Sequence, residues 1–87
     1  MRITKRNLEL VTDRINDLTA SPKIMFLGNE HNVGHYFIYY GNGGAQLCRV
    51  RSKAGTISDV LRSGSIPKRD LYNRMQAFVT GLEVYHG

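Results

Sequence analysis

His35-Tyr36-Phe37-Ile38-Tyr39-Tyr40, then Gly41-Asn42-Gly43-Gly44, then Ala45 to Arg51, is the stretch that most constrains how this chain can fold. The first run is aromatic and β-branched, a composition that suits a pleated, half-buried strand. Asn-Gly between two such runs supplies the positive φ angles of a tight hairpin turn. An antiparallel pair therefore occupies the middle of the chain. A lone hairpin is at best marginally stable in water, so the flanking residues must cover one of its faces.

Both flanks carry a pattern that can do so. Leu8, Val11, Ile15 and Leu18 recur at helical spacing and predict a helix from Lys5 to about Thr19, with Thr4 as N-cap. Ala20-Ser21-Pro22 ends it, because the residue before proline leaves the helical region. Leu71, Met75, Phe78 and Leu82, with Tyr72 and Val79 alongside, predict a second helix from Pro67, placed at N1, to Thr80 or Gly81. Ile24-Met25-Phe26-Leu27 is a short apolar run between Pro22 and Gly28 and reads as a strand; residues 28–34 read as a loop. Thr56 to Leu61 reads as a capped single helical turn, stopped by Ser63-Gly64-Ser65. The expected fold is α+β in the order α-β-β-β-α. A three-stranded antiparallel sheet would carry two helices on one face, in a single domain of 87 residues.

Charge narrows the choice of partner. Twelve Lys and Arg against seven Asp and Glu give a net charge of +5, a balance that favours encounter with anions. Part of this charge falls in a repeated phrase, Lys5-Arg6-Asn7-Leu8 and Lys68-Arg69-Asp70-Leu71, each copy opening a helix. A helix N-terminus already carries partial positive charge, so a basic pair there makes sense when an anion docks on it. The plainer reading is that these side chains are solvated at little cost. Arg49, Arg51 and Lys53 stand at alternate positions and share one face of a strand. They would sit beside either Tyr36, Ile38 and Tyr40 or His35, Phe37 and Tyr39, according to register. The sheet must also pack one face under the helices, which accounts for the same aromatics without any ligand. Glu9, Asp13 and Asp17 form an acidic ribbon on the first helix, and Tyr39 and Tyr40 enrich the hairpin in a residue favoured at protein interfaces.

Other chemistries find little support. Cys48 is the only cysteine, so there is no disulfide framework, and a buried small hydrophobe is its plainest role. His31, His35 and His86 lack metal-ligand spacing. No paired carboxylates and no Ser/His/Asp arrangement are visible, so the chain reads as non-enzymatic with no cofactor. No apolar run reaches the roughly 20 residues of a membrane span, and no signal-peptide core follows the N-terminus, so a cytoplasmic setting is expected.

The stretch from Gly64 to Leu82, together with the Tyr-Gly-x-Gly-Gly hairpin at Tyr40–Gly44 and Ser58-Asp59-Val60, resembles short proteins of tailed bacteriophages and prophages. That resemblance implies a bacterial host cytoplasm and an accessory or host-interaction role. The α-β-β-β-α order is also similar to that of the double-stranded-RNA-binding domain, which clamps phosphates with a basic cluster at the start of its last helix. Lys68 and Arg69 match the first two cluster positions, but Tyr72 stands at the third and Asp70 lies between.

The expected function is that of a small accessory protein binding a host macromolecule, in the first place a host protein, through Tyr39, Tyr40, Asp13 and Asp17. The alternative is a nucleic-acid-binding module contacting phosphates through Lys5, Arg6, Arg49, Arg51, Lys53, Lys68 and Arg69. A small enzyme is the third reading. An edge strand or the exposed hairpin could also support a homodimer.

Overall fold

A computed structural model of the protein describes residues 2–86, with side chains through Tyr85. Its elements are α1 (Lys5–Leu18), β1 (Phe26–Leu27), β2 (Glu30–His31), β3 (Tyr36–Gly41), β4 (Gly44–Val50), β5 (Ile57–Asp59) and α2 (Lys68–His86). β3, β4 and β5 form an antiparallel sheet in that order, and β1 and β2 form a separate two-stranded sheet. The class is α+β, with three strands in the main sheet as expected.

The hairpin turns where the sequence places it. Asn42 and Gly43 adopt φ of +54° and +76°, the left-handed pair that matches strand twist. Tyr36 then pairs with Arg49, Ile38 with Leu47 and Tyr40 with Ala45. That register settles which residues face the helices. Tyr36, Ala45 and Leu47 are buried in one cluster with Leu8, Val11, Ile15, Leu71, Met75 and Val79, and Ile38 and Tyr40 pack against it. Both helical stripes thus meet the same sheet face.

The third strand is not the one the sequence suggested. Ile24–Leu27 was expected in the main sheet, but only Phe26–Leu27 is extended, and it pairs with Glu30–His31 inside the expected loop. Ile24, Phe26 and Leu27 are half exposed or more, so this apolar run is not a core strand. The third strand is Ile57–Asp59, within the expected helical turn. The reason lies in β4, whose outer edge needs partners: Val50 pairs with Ile57, and Cys48 with Asp59. Branched Thr56, Ile57 and Val60 suit that extended conformation.

The helix ends differ in smaller ways. Thr4 caps α1 with a capping box, its hydroxyl accepting from the Asn7 N–H while the Asn7 side chain accepts from the Thr4 N–H. α1 stops at Leu18 with Ala20 at positive φ. Pro67 precedes α2 rather than opening it, and its carbonyl accepts from the Leu71 N–H at 3.0 Å. α2 passes Thr80 and Gly81 to reach His86. Glycine in a helix costs about 1 kcal/mol, which the packing of Leu82 and the Arg14–Glu83 ion pair (2.9 Å) can offset.

Gly44 is required by close approach. Ala45 and Ile66 exchange two backbone hydrogen bonds, at 2.9 and 3.0 Å, and a Cβ on Gly44 would lie 2.6 Å from the Ile66 carbonyl oxygen. Gly44→Ala should therefore destabilise the fold by about 1–3 kcal/mol, the usual cost of forcing atoms into filled space. Urea titration followed by circular dichroism measures it; an unchanged midpoint would contradict the contact.

Candidate anion-binding surfaces

α1 and α2 run side by side in the same direction. Arg14, late in α1, reaches Glu83, late in α2, while the starts of both helices lie at the hairpin-turn end of the sheet. Lys5 Nζ stands 4.8 Å over the Tyr40 ring. Tyr40 pairs with Ala45, and Ala45 bridges to Ile66, two residues before Lys68. The leucines of the repeated phrase, Leu8 and Leu71, are both fully buried and seat the two N-termini on the core. Lys5, Arg6, Lys68 and Arg69 are thereby gathered at one end of the molecule. Lys5, Arg6 and Arg69 are exposed there, and Lys68 is half-buried.

Arg49, Arg51 and Lys53 do not form one row. Arg49 is held: its Nε–H donates to the Gly34 carbonyl at 3.1 Å, and its guanidinium stacks 4.7 Å from the Tyr36 ring centroid. Arg49 and Arg51 line a cleft of about 210 Å³ together with Tyr36, Ser58, Val60 and Arg62. Lys53 lies elsewhere, beyond the end of β4, its ammonium 3.6 Å from Glu30. Asp59 also lines the cleft, but its neighbour by register is Cys48, on the opposite sheet face, and its Oδ2 accepts from the Gly64 N–H at 2.7 Å. Among the described residues, none of the three arginines is in an ion pair.

Arg62 is not visible in the sequence pattern while residues 56–61 read as a helical turn. Read as a strand, the same stretch pairs Ser58 with Arg49 on one face, and the turn that follows brings Val60 and Arg62 to line the same cleft. Arg62 itself has φ of +55°, in the left-handed region that glycine favours.

The residues expected at a protein interface separate. Tyr39 is half exposed on the face away from the helices, whereas Tyr40 is on the helix side under Lys5. The Tyr40 hydroxyl is buried without a hydrogen bond of good geometry, and burial first, then the Glu9 carboxylate, push its pKa up. Asp17 pairs with Lys23, and the hydrogen bond and charge it offers raise the lysine pKa. Asp13 remains beside a second groove of about 220 Å³, between α1 and β3, lined also by Glu9, Thr12, His35, Phe37 and Ile38.

Burial pushes the Cys48 thiol up, against a smaller opposing effect of the Gln46 amide 3.3 Å from Sγ. That leaves the thiol neutral near pH 7. The buried His35 ring donates from Nδ1 to the Pro22 carbonyl at 2.8 Å, and His31 packs on Phe26 with ring centroids 4.6 Å apart. The His86 side chain lies outside those described. Among the described residues no group of three His, Cys, Asp or Glu side chains could hold a metal, and no helix is long and apolar enough to cross a membrane. Compared with protein-family models, curated proteins and solved structures, the chain finds no match in any of the three, and its function is to be read from this geometry.

Proposed function

We propose that this chain is a non-enzymatic binding module for an anionic macromolecule, and that the ligand is the phosphate backbone of a nucleic acid. One observation carries the reading: parallel α1 and α2 bring both Lys-Arg pairs, and the positive ends of both helix dipoles, to the same end. Phosphates bind at helix N-termini through the backbone N–H groups there, and flanking cations add counterion release. The net charge of +5 favours the same encounter.

Fluorescence anisotropy with short DNA and RNA duplexes at several salt concentrations tests it. The slope of log K against log salt should be about −0.9 for each phosphate contacted on DNA. Replacing Lys68 and Arg69 together by alanine should flatten that slope by about 1–2. The absence of measurable binding to either nucleic acid at low salt would end this reading.

A protein partner is the second reading, and the groove between α1 and β3 favours it. Glu9 and Asp13 line that groove beside the outer edge of the sheet, a setting that would complement a basic partner. The resemblance to phage proteins makes a host protein the natural source. A host protein retained from bacterial lysate after nuclease treatment, and lost on charge reversal at Asp13, would support this reading over the first.

A further inference from the structure

We infer that the cleft lined by Arg49, Arg51 and Arg62 is a binding site for a phosphate group, free or carried as a monoester on a small molecule. It lies apart from the helix N-termini and does not depend on the nucleic-acid reading.

Composition is the first support. Arg49 comes from β4, Arg51 from the residue just past its end, and Arg62 from the turn that follows β5. Three guanidiniums around one cleft repel one another unless an anion lies between them. No described carboxylate is within ion-pair distance of any of them. The three have no ion pair, and the carboxylate of Asp59, the one acidic residue lining the cleft, is directed by the strand register to the other face, towards Gly64.

Preorganisation is the second. The Gly34 carbonyl and the Tyr36 ring fix Arg49, so little side-chain freedom is lost when its remaining N–H groups bind an anion. Guanidinium forks match the oxygen spacing of phosphate, and two further arms can close on the other oxygens. Ser58, paired with Arg49 across the strands, adds a hydroxyl to the lining. The backbone at Arg62 is third. A positive φ at a non-glycine residue is sparsely populated, and here it accompanies a side chain that lines the cleft with two other arginines.

Size selects the ligand class. About 210 Å³ is below the roughly 300–1,000 Å³ of pockets that enclose drug-sized molecules. It suits a phosphate, or a phosphate with part of a sugar, better than a whole nucleotide. A monoester dianion also answers three positive charges better than a singly charged diester.

The test is a two-dimensional amide NMR titration of the full chain with inorganic phosphate and, separately, with ribose 5-phosphate, at constant ionic strength set by chloride. Saturable shifts are expected at the amides of residues 49–51 and 58–62. Tighter binding of ribose 5-phosphate identifies the monoester as the source, and tighter binding of inorganic phosphate identifies the free ion. Arg62→Gly should weaken both by about tenfold or more, as loss of one charge-assisted arm implies. Glycine suits the positive φ, so the melting temperature of that variant should hold or rise, which separates lost binding from lost fold. The saturable shifts at residues 49–51 and 58–62 should not depend on salt-screened binding elsewhere, so a competing DNA duplex should leave them in place. Shifts that do not saturate, or that are unchanged in Arg62→Gly, would overturn the assignment.

Discussion

Leu71→Ala is expected to destabilise the protein by about 2–5 kcal/mol, the range for a fully buried leucine whose cavity only partly collapses. Leu71 has no exposed surface and packs in the cluster that includes Leu8, Leu47 and Met75. Domains of ordinary stability have about 5–15 kcal/mol in all, so one substitution would remove a large share of it. Urea denaturation followed by far-ultraviolet circular dichroism should show a lower midpoint with an unchanged slope. Leu71→Met, which nearly conserves volume, should cost less than about 1.5 kcal/mol. A loss below 1 kcal/mol for the alanine variant would mean that α2 does not seat on the sheet as described. The position matters because Leu71 closes the second Lys-Arg phrase: the side chain that anchors the helix start also sets where Lys68 and Arg69 stand.

What could be read from the chain in advance follows from how local each cause is. The hairpin was legible because Asn42-Gly43 fixes its own turn, and the helices because their apolar stripes repeat. The α1 cap was legible because Thr4 and Asn7 act within one turn. Residues 56–61 differ from their reading because the strand is imposed by β4, which needs partners for its outer edge, and the branched Thr56, Ile57 and Val60 favour extension too weakly to outweigh the cap signal. Ile24–Leu27 fails for the converse reason, since its apolarity suggests a core strand but β5 takes the free edge of β4 and the core is closed by the helices on β3 and β4. The site inherited the first of these. Arg62 is invisible while residues 56–61 read as a helical turn, and Lys53 groups with Arg49 and Arg51 only when alternation is carried on through the turn after Arg51, where Lys53 instead meets Glu30. Tyr40 and Lys5, assigned to rival functions, are in contact because a helix start and a strand end meet across some 35 residues of sequence.

Asn16→Ala should cost about 2–5 kcal/mol although it removes little apolar surface. Asn16 is buried on α1, where its Oδ1 accepts from the Tyr36 N–H at 2.9 Å and its Nδ2 donates to the Tyr36 carbonyl at 3.1 Å. The Val50 N–H bonds the His35 carbonyl at 3.0 Å, so by antiparallel alternation the backbone groups of Tyr36, Ile38 and Tyr40 point away from β4. β3 is an edge strand, and Asn16 offers Tyr36 the donor and acceptor that a neighbouring strand would supply. Alanine leaves both backbone groups unpaired, at about 1–3 kcal/mol for each buried orphan. Water entering from the adjoining groove would draw the total towards the lower end. Hydrogen exchange gives the specific signature: the Tyr36 amide should lose protection while Phe37, bonded towards Cys48, retains it. An edge stripped of this side-chain partner is also freer to pair with another copy of itself. Sedimentation velocity should then show concentration-dependent self-association in Asn16→Ala beyond that of the parent chain. If the Tyr36 amide stays protected, Asn16 is not what closes this edge.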